Sequence, residues 1–406
     1  MYTLFAWRYF KAKKSTNVIN IISWICIVAI VVGTASLILV LSVFNGFEGL
    51  VKSLYASFYP DIRVGAPSGK IITISEEQLN QLRNVKGVAD FSLVIEEKAI
   101  IQNKANQAIV HLKGVDDRYK TTTSVSEFVY SGKYDIGTAS RPKLFLGVGI
   151  ESALGIRAGN NANPLMIYVP RKSRTEHFDE FESISSDTIH TSGSFMIQQD
   201  FDNKYAMVNG AYLKKAMQLD ENEYSAVEIA VNDPAKVDAI AREIATVFEG
   251  YKVQTRYQQN ESLYAIMNLE RWLFYAVLSI ILIVAAFNMV GALTMLVLEK
   301  QKDISILNAL GADKNFILKI FLGEGFLLAF IGGIIGMLIA LVLIILQINY
   351  HLVPLEGGSF LIDYFPVEPR IGDFFLVALT VIVVSFLASW FPAVKASRQV
   401  ISLRSE

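Results

Sequence analysis

The sequence predicts an α-helical membrane protein in which four transmembrane helices are joined to a large α+β extracytoplasmic domain. The composition is mixed, since 52% of the 406 residues are hydrophobic and 18% are charged. Four charge-free apolar runs are each long enough to cross a hydrocarbon core about 30 Å thick. Between the first two runs lie residues 48–268. Their mixed strand and helix patterns are extensive enough for one or two folded units.

The amino terminus predicts a first span that is not cleaved. Residues 1–19 are basic and aromatic, and we expect a short cytoplasmic or interfacial helix whose Arg8 and lysines lie toward anionic lipid. Residues 20–47 then form the first transmembrane helix. A signal peptide also begins with basic residues, but its apolar region has only about 7 to 15 residues and ends in a cleavage site of small residues.

The remaining apolar runs predict three further spans, at residues 269–298, 314–349 and 373–394. Basic residues are concentrated in the amino terminus, in the connector after the second span and in the tail at residues 395–406. The loop at residues 350–372 has only Arg370. Because short cytoplasmic loops are enriched in lysine and arginine, both termini are predicted to be cytoplasmic and residues 48–268 extracytoplasmic.

The two ends of the extracytoplasmic segment share one pattern of strands and helices. Strand patterns lie at residues 61–66, 91–101, 107–113, 224–231 and 251–256. Ser75 and Asp233 are placed to cap one helix at each end, and Pro234 follows at a first helical position. The shared pattern predicts one α+β unit that is interrupted by an insertion at about residues 118–216. Strands are expected within the insertion at residues 143–147, 165–169 and 195–201.

The insertion contains a polar loop at residues 171–191 that has no sustained apolar period. A long loop without regular structure is either functional or merely mobile. Arg171, Phe178 and Phe181 place one cation and two aromatic rings in this polar segment. This composition suits a hairpin that contacts a partner, and the mobile connector is the alternative.

The connector at residues 299–312 predicts a short amphipathic helix outside the lipid. Glu299 and Lys300 end the second span, because charged residues are costly at membrane depth. A stripe of apolar residues recurs at a spacing of three, at Ile304, Leu307 and Leu310. Gly311 is placed to stop the helix. Such a helix either docks a soluble motor or is a solvated connector between two spans.

The third span contains small and acidic residues at informative positions. Gly332 and Gly336 form a G-x-x-x-G pair, which allows another helix to approach closely. Glu324 lies near the start of the same span, where an acidic residue either has a function or reaches water at the membrane boundary. The pair therefore predicts helix packing, whereas the role of Glu324 stays open.

The motifs do not predict an enzyme. The stretch from Gly65 to Lys70 resembles a phosphate-binding loop, but three residues separate its glycines where four are needed. The dinucleotide-binding motif fails at Ser152, where a glycine is required. The four histidines lack the spacing of a zinc motif, and a formal net charge of −1 with no basic block gives no nucleic-acid surface. We expect no catalytic residue, cofactor site or metal site on this chain.

Two stretches of sequence support a family resemblance. One is V40-L-S-V-F-N-G-F-E48 at the outer end of the first span, and the other is the run from Phe287 through E-K-Q-K-D-I-S-I-L-N-A-L-G-A312. The chain resembles the LolC/LolE-type permeases of lipoprotein-releasing ABC transporters, within the MacB/FtsX-like permease superfamily. The resemblance covers the order of spans, domain and connector. It implies a MacB-like periplasmic core with Porter-like and Sabre-like subdomains, in the bacterial inner membrane.

The same resemblance implies a function in transport. The chain would be the permease subunit of an ATP-driven transporter that extracts lipoproteins from the outer leaflet and passes them to a LolA-like periplasmic carrier. A LolD-like ATPase would bind ATP and magnesium, and a second permease, either a paralogue or a copy, would complete the assembly within membrane lipids. The loop with Arg171, Phe178 and Phe181 matches the region that contacts the carrier in this family.

The resemblance also assigns two groups of residues. The connector would be a coupling helix that docks into the ATPase through Glu299, Lys300, Ile304, Leu307, Leu310 and Gly311. The cavity for the acyl chains would be lined by Phe44, Asn45, Phe47, Trp272 and Tyr275. Hydrophobic contact is the interaction that acyl chains require.

Two alternatives share the same architecture. An FtsX-like protein would transmit ATPase cycling to an outer domain that regulates periplasmic cell-wall hydrolases, although such chains usually have a shorter outer domain. A MacB-like exporter would move a drug or a peptide, although that permease normally carries its ATPase on the same chain.

Overall fold

The computed structural model describes residues 17–159, 164–172, 184–355, 362 and 364–398. The chain forms two compact units. The helical unit comprises the chain up to Leu50, Ala265–Leu355 and the chain from Tyr364 onward, and the α+β unit comprises Val51–Tyr264 and Glu356–Asp363. Residues 1–16 of the predicted interfacial helix and residues 399–406 of the predicted tail lie outside the described residues.

Among the described residues, four helices are long and apolar enough to cross a membrane, and we name them spans 1 to 4. They are Asn17–Phe58, Glu261–Glu299, Lys314–Tyr350 and Ile371–Ser397. With the α+β unit between spans 1 and 2 in the sequence, they confirm the predicted fold class. Span 1 continues beyond residue 47 and span 2 begins before residue 269, because a helix does not have to end where its apolar run ends. Pro60 follows span 1 closely, as is common after a helix end.

Spans 1 and 3 pack closely at two glycines. A Cβ atom built on Gly332 would lie 2.9 Å from Cγ2 of Ile30, and one on Gly336 would lie 2.7 Å from the carbonyl oxygen of Val31. Any larger side chain would therefore force the two helices apart. The structure places the G-x-x-x-G pair at this helix contact, which is the geometry that small residues permit.

The described part of the α+β unit contains twelve strands and several short helices. The strands β1 to β12 are Ile62–Gly65, Ile72–Thr73, Val88–Asn103, Asn106–Val115, Val129–Gly132, Lys143–Gly147, Leu165–Pro170, Ile184–Phe195, Tyr205–Asn209, Glu223–Tyr224, Ala226–Val231 and Lys252–Thr255. The α-helices are Glu76–Asn84, Tyr119–Thr122, Val148–Ala153, Gln199–Asp202, Gly210–Met217, Val237–Val247 and Arg256–Gln259.

Ten of the strands form a single sheet in the order β12-β1-β11-β3-β4-β9-β6-β8-β5, and β7 pairs with β3 and β8. Strands β2 and β10 form a separate pair. Most neighbouring strands are antiparallel, but β4 pairs with β9 and β6 pairs with β8 in parallel. Strands β5 to β9 lie within residues 118–216, so the predicted insertion extends this sheet rather than forming a sheet of its own.

Several local predictions within the α+β unit can be compared with the structure. Ser75 accepts a hydrogen bond from the backbone N–H of Gln78, and Asp233 accepts one from Ala235, so both predicted caps are confirmed. The strand predicted at residues 195–201 is wrong. β8 ends at Phe195, and a helical turn begins at Gln199. The error arose because β8 begins at Ile184 inside the polar loop, where its alternation of apolar and polar residues is weak.

The sheet has one apolar face and one charged face in the region of β1, β3, β11 and β12. Helices Glu76–Asn84 and Val237–Val247 contribute leucine and isoleucine side chains to the core that contains Val64 and Val227. The next residues along these strands point the other way, because successive side chains alternate across a sheet. On that face Lys113 forms a buried ion pair with Glu228 at 2.8 Å.

Glu96 belongs to the same charged face. Burial opposes the ionisation of this carboxyl group, but the hydrogen bond from His111 and the charges of Lys113 and Arg63 outweigh burial and lower its pKa to about 2, from an ordinary value of 4.5. A carboxyl group whose pKa is lowered in the folded state stabilises the fold above its unfolded pKa. That stabilisation is lost as the pH falls through the folded value.

We expect the α+β unit to lose roughly 3 kcal/mol of stability between about pH 5 and pH 2 through this carboxyl group. In Glu96→Gln this part of the pH dependence should disappear, because the amide does not titrate. The measurement is urea unfolding of the full chain in detergent across this range. Glu243→Gln, on an exposed helical position, is the control. An unchanged pH profile in Glu96→Gln would contradict the assignment.

Candidate functional site

A polar cluster joins spans 1, 2 and 4 and contains the N-G-F-E motif of span 1. Asn45 is fully buried, and its side-chain amide donates to Oδ2 of Asp373 at 2.6 Å and to the carbonyl oxygen of Glu368 at 3.3 Å. Asp373 lies in the first turn of span 4 and is 3% exposed. Buried polar groups are usually hydrogen-bonded, and this contact pairs the amide nitrogen of Asn45 with the carboxylate of Asp373, whereas Oδ1 of Asn45 has no hydrogen-bond partner among the described residues.

Gly46 brings span 1 into contact with the backbone that precedes span 4. A Cβ atom on Gly46 would lie 2.4 Å from the carbonyl oxygen of Pro366 and 2.7 Å from the backbone nitrogen of Val367. The backbone N–H of Glu368 donates to the carbonyl oxygen of Ser42 at 2.9 Å. This close approach therefore requires a glycine at position 46.

Span 2 joins the cluster through Arg271. Its guanidinium donates to Oδ1 of Asp373 at 2.7 Å, so each oxygen of this carboxylate binds a different span. We name the set Asn45, Gly46, Arg271, Glu368 and Asp373 the boundary clasp. A charged hydrogen bond of this kind is roughly twice as strong as a neutral one. The clasp therefore ties spans 1, 2 and 4 together at one level of the helical unit.

Arg370 forms two further ion pairs beside the clasp. Nη1 of Arg370 approaches Oε2 of Glu48 at 3.4 Å, and its Nε approaches Oε1 of Glu368 at 3.3 Å. Glu48 is the last residue of the N-G-F-E motif. Three of the four motif positions thus contact the segment at or before the start of span 4.

The residues predicted to line the acyl-chain cavity have two different kinds of environment in the structure. Asn45 lies inside the boundary clasp, whereas Phe44 and Phe47 are half-buried. Trp272 is exposed, and its ring lies 5.8 Å from that of Tyr275. The hydroxyl group of Tyr275 is 2.6 Å from Oγ1 of Thr380. Phe44 and Trp272 therefore present aromatic surface, while Asn45 and Tyr275 have polar contacts between helices.

Span 2 also exposes a broad apolar surface within this chain. The ring of Phe274 lies 6.1 Å from that of Phe44, which places aromatic residues of spans 1 and 2 side by side. The exposed large residues of this surface are Trp272, Leu273, Phe274, Val277, Ile280, Ile281, Val284 and Phe287. Such a surface in a membrane span contacts lipid, acyl chains or another helix.

The connector between spans 2 and 3 is a helix, Gln301–Ala309. Ile304 is only 3% exposed and packs in the core of the helical unit, whereas Leu307 is half-buried and Leu310 is 79% exposed. Ile306 is also exposed. The three residues of the predicted apolar stripe therefore have different environments. Ile304 packs against its own chain, whereas Leu310 faces outward. Gly311 has a φ of +90°, as expected for a residue that ends a helix.

The charged residues of the connector have contacts of their own. Nζ of Lys300 lies 3.0 Å from Oδ2 of Asp303, one turn later. Glu299 is the last residue of span 2 and is half-buried. The pair of Lys300 and Asp303 lies at the start of the connector helix and favours a defined orientation of its outward face.

Only residues 171–172 and 184–191 of the predicted partner-contact loop are described, and residues 184–191 belong to β8 rather than to a loop without regular structure. Strands β7 and β8 pair antiparallel from Leu165 opposite Ile189 to Pro170 opposite Ile184. Arg171 follows β7 directly. Phe178 and Phe181 lie outside the described residues. Among the described residues, no group of three or more His, Cys, Asp or Glu side chains is arranged to hold a metal ion.

Sequence reasoning did not identify Arg271 or Asp373 as functional residues. Both are charged residues beside apolar runs: Asp373 was the first residue of the predicted fourth span, and Arg271 lay near the start of the predicted second span without an assigned role. Charged residues at neighbouring span ends with opposite sign are a signal that can be sought, since they pair across helices. Their common partner in the N-G-F-E motif is visible only in the folded chain.

Comparisons with known proteins show similarity to membrane permeases. Residues 275–401 match the family described as FtsX-like permease C-terminal. The chain is 26% identical over 426 residues to the lipoprotein-releasing system transmembrane protein LolC of Neisseria meningitidis serogroup B, with 98% of each chain covered. It is 25% identical over 414 residues to the corresponding LolE of Haemophilus influenzae, covering 97% of this chain and 96% of the relative. These matches confirm the predicted resemblance.

Two solved structures overlap about half of this chain. The extracellular domain of the ABC-type transporter YknZ from Gram-positive bacteria is 14% identical, with a TM-score of 0.33, and 48% of this chain and 98% of that chain are covered. The periplasmic region of MacB from Actinobacillus actinomycetemcomitans is 7% identical, with a TM-score of 0.34, and 53% of this chain and 98% of that chain are covered.

Proposed function

We propose that this chain, which resembles LolC/LolE-type, FtsX-like permeases over nearly its whole length, is the permease subunit of an ATP-driven lipoprotein-releasing transporter. The near-complete coverage on both sides of these alignments is the observation that carries the proposal. The permease extracts lipoproteins from the outer leaflet of the inner membrane and passes them to a periplasmic carrier. Its termini are cytoplasmic and its α+β unit is periplasmic.

The ATPase is a separate subunit that holds ATP and magnesium and docks on the connector helix. The exposed residues Ile306 and Leu310 supply its apolar contact, because they are available to a partner. Ile304 has a different part in the proposal. Since it is packed in the core of the helical unit, it transmits movement of the connector to the spans.

The acyl chains of the lipoprotein contact the exposed apolar surface of span 2 and the aromatic residues beside it on span 1. Phe44, Trp272 and Phe274 are the residues that support this assignment, since they present ring surface rather than polar groups. Burial of apolar area contributes about 25 cal/mol per Å², so a long acyl chain gains binding energy from such a surface. A second permease, either a paralogue or a copy of this chain, completes the cavity.

The hairpin of β7 and β8 contacts the carrier in this proposal. Its antiparallel pairing provides a rigid base for the loop that follows Arg171. A loop on a rigid hairpin is a common position for partner contacts.

The proposal is tested by purifying the tagged full chain in mild detergent and identifying the bound proteins by mass spectrometry. An ABC ATPase together with acylated lipoproteins supports it. An ATPase with cell-wall hydrolases and no lipoprotein would replace it with FtsX-like signalling, and a drug or peptide cargo would replace it with a MacB-like exporter.

We expect Leu310→Asp to reduce the amount of co-purified ATPase by about tenfold or more, because the change loses apolar burial and places a charge in the contact. The measurement is the ratio of ATPase to permease in the purified complex. Leu352→Asp is the matched control, since Leu352 is also exposed but follows span 3 at its opposite end. Equal ATPase recovery from Leu310→Asp and the control would exclude Leu310 from the contact.

A further inference from the structure

Spans 3 and 4 form an apolar groove of about 780 Å³ that the proposed transport function does not use. Every residue that lines it is a glycine or has an apolar side chain. Four of these residues are small, namely Gly323, Ala329, Gly333 and Ala378. Larger residues beside them are exposed, and Phe330 is exposed by 67%. The groove is therefore a depression among large side chains, and it opens toward the surrounding lipid.

The groove is long enough to hold a chain through the depth of one leaflet. Its lining on span 3 runs from Gly323 to Met337, which at about 1.5 Å per residue is about 21 Å. One leaflet is about half of a hydrocarbon core that is about 30 Å thick. Over that length, the volume of the groove corresponds to a mean cross-section of about 37 Å². A helix of about 10 Å diameter occupies about 79 Å², so the groove fits an extended chain better than a helix.

A lysine lies at the end of the groove where span 3 begins. Lys319 is exposed and precedes Gly323 by one turn. It therefore shares the face of span 3 that also presents Phe326 and Phe330 to the groove. The stem of a lysine packs along apolar surface while its ammonium group reaches water or headgroups. Glu324 is buried and does not line the groove, so this end of the groove presents a positive charge at the membrane boundary.

Aromatic rings of span 4 extend the groove toward the same boundary. A Cβ atom built on Gly325 would lie 2.4 Å from Cβ of Ser389, so Trp390 lies at the level of the first turns of span 3. The ring of Phe386 lies 5.4 Å from that of Trp390 and 6.1 Å from that of Phe326. Tryptophan is enriched where a membrane meets water. This row of rings therefore connects the groove with the level at which a lipid headgroup lies.

We propose that the groove between spans 3 and 4 binds one acyl chain of a phospholipid, and that the phosphate of this lipid lies beside Lys319. The apolar lining gives the chain hydrophobic contact along its length. The ammonium group favours an anionic headgroup, because each basic residue near anionic lipid contributes to binding. The choice of leaflet rests on the proposed topology, in which this end of the groove is cytoplasmic. The bound lipid then belongs to the cytoplasmic leaflet, whereas the transported acyl chains come from the outer leaflet.

The test counts the phospholipids that stay bound to the full chain, by native mass spectrometry in a neutral detergent with added phosphatidylglycerol. One tightly retained phosphatidylglycerol per chain is expected. Gly333→Leu should lower this retention by about fivefold or more, because the leucine fills the groove. A Cβ built on Gly333 has only Cγ1 of Val381 within 4 Å, at 3.5 Å, so the larger side chain has room to enter.

Gly291→Leu is the matched control, since nothing lies within 4 Å of a Cβ built on this exposed glycine of span 2. Ala378→Leu fills the groove from span 4 and replaces Gly333→Leu if the latter does not elute as a folded protein in gel filtration. Equal retention in the groove variant and in the control overturns the proposal. Unchanged retention in a groove variant that dissociates a dimer of the chain also overturns it, and would assign the groove to a helix of a second copy.

A second comparison locates the headgroup. Lys319→Gln should lower the preference for phosphatidylglycerol over phosphatidylcholine by about fivefold. Lys302→Gln is the control, because this exposed lysine lies on the connector helix. An unchanged preference in Lys319→Gln overturns the position of the phosphate. The chain is measured without ATPase or lipoprotein, so this result and the recovery of those partners can fail independently.

Discussion

Replacing Gly46 by alanine is expected to open the boundary clasp and to destabilise the helical unit by about 2 kcal/mol. The added Cβ would lie 2.4 Å from the carbonyl oxygen of Pro366. The backbone fixes the positions of both atoms, so rotation of a side chain cannot relieve the clash. In a helix interior, alanine is otherwise favoured over glycine by about 0.5–1 kcal/mol. The collision outweighs that preference. To separate span 1 from the segment before span 4, the hydrogen bond from the backbone N–H of Glu368 to the carbonyl oxygen of Ser42 must also lengthen.

The measurement is the thermal unfolding midpoint of the full chain in detergent, together with lipoprotein release in the assembled transporter. Gly291→Ala is the matched control, since Gly291 lies within span 2 and nothing lies within 4 Å of a Cβ built on it. The control should be as stable as the original chain or slightly more stable. If Gly46→Ala behaved like the control, the close contact at Pro366 would not constrain span 1.

The apolar runs predicted the four spans because crossing a membrane imposes a length and a composition that a single segment must meet by itself. Local signals also predicted the caps at Ser75 and Asp233, which depend on neighbouring residues alone. The sheet order was not predictable in the same way. Strand β9 pairs with β4, although many residues separate them in the sequence. Neither segment contains a local pattern that indicates this pairing.

The candidate site was predictable only in part for the same reason. The N-G-F-E motif was visible in the sequence, but the partners of Asn45 lie in the segment before span 4 and in its first turn. Likewise, the spacing of Ile304, Leu307 and Leu310 indicated one stripe. The angle at which the connector leaves span 2 decides which of these residues packs against the chain itself. The spacing of apolar residues does not predict that angle.

Replacing Asp373 by alanine is expected to release both spans that its carboxylate holds. Asn45, which is fully buried, would lose the nearer of its two acceptors, and Arg271 would lose its ion pair with Asp373. Leaving a buried charge uncompensated costs about 3–5 kcal/mol, but the side chain of Arg271 is 31% exposed and solvent will screen part of that cost. We therefore expect a loss of about 2–3 kcal/mol from these two effects together.

A double-mutant cycle separates the contribution of each partner. Asp373→Asn keeps an oxygen that can accept from Asn45 but removes the charge, so its effect should largely disappear when Arg271→Gln is already present. Glu368→Gln is the control, because its side-chain ion pair with Arg370 is half exposed and surface pairs contribute less than about 1 kcal/mol. In the proposed transporter, spans 1 and 2 flank the acyl-chain cavity, so the same variants should shorten lipoprotein retention in the purified complex. Additive effects of Asp373→Asn and Arg271→Gln, with retention unchanged, would show that this carboxylate does not hold the two spans together.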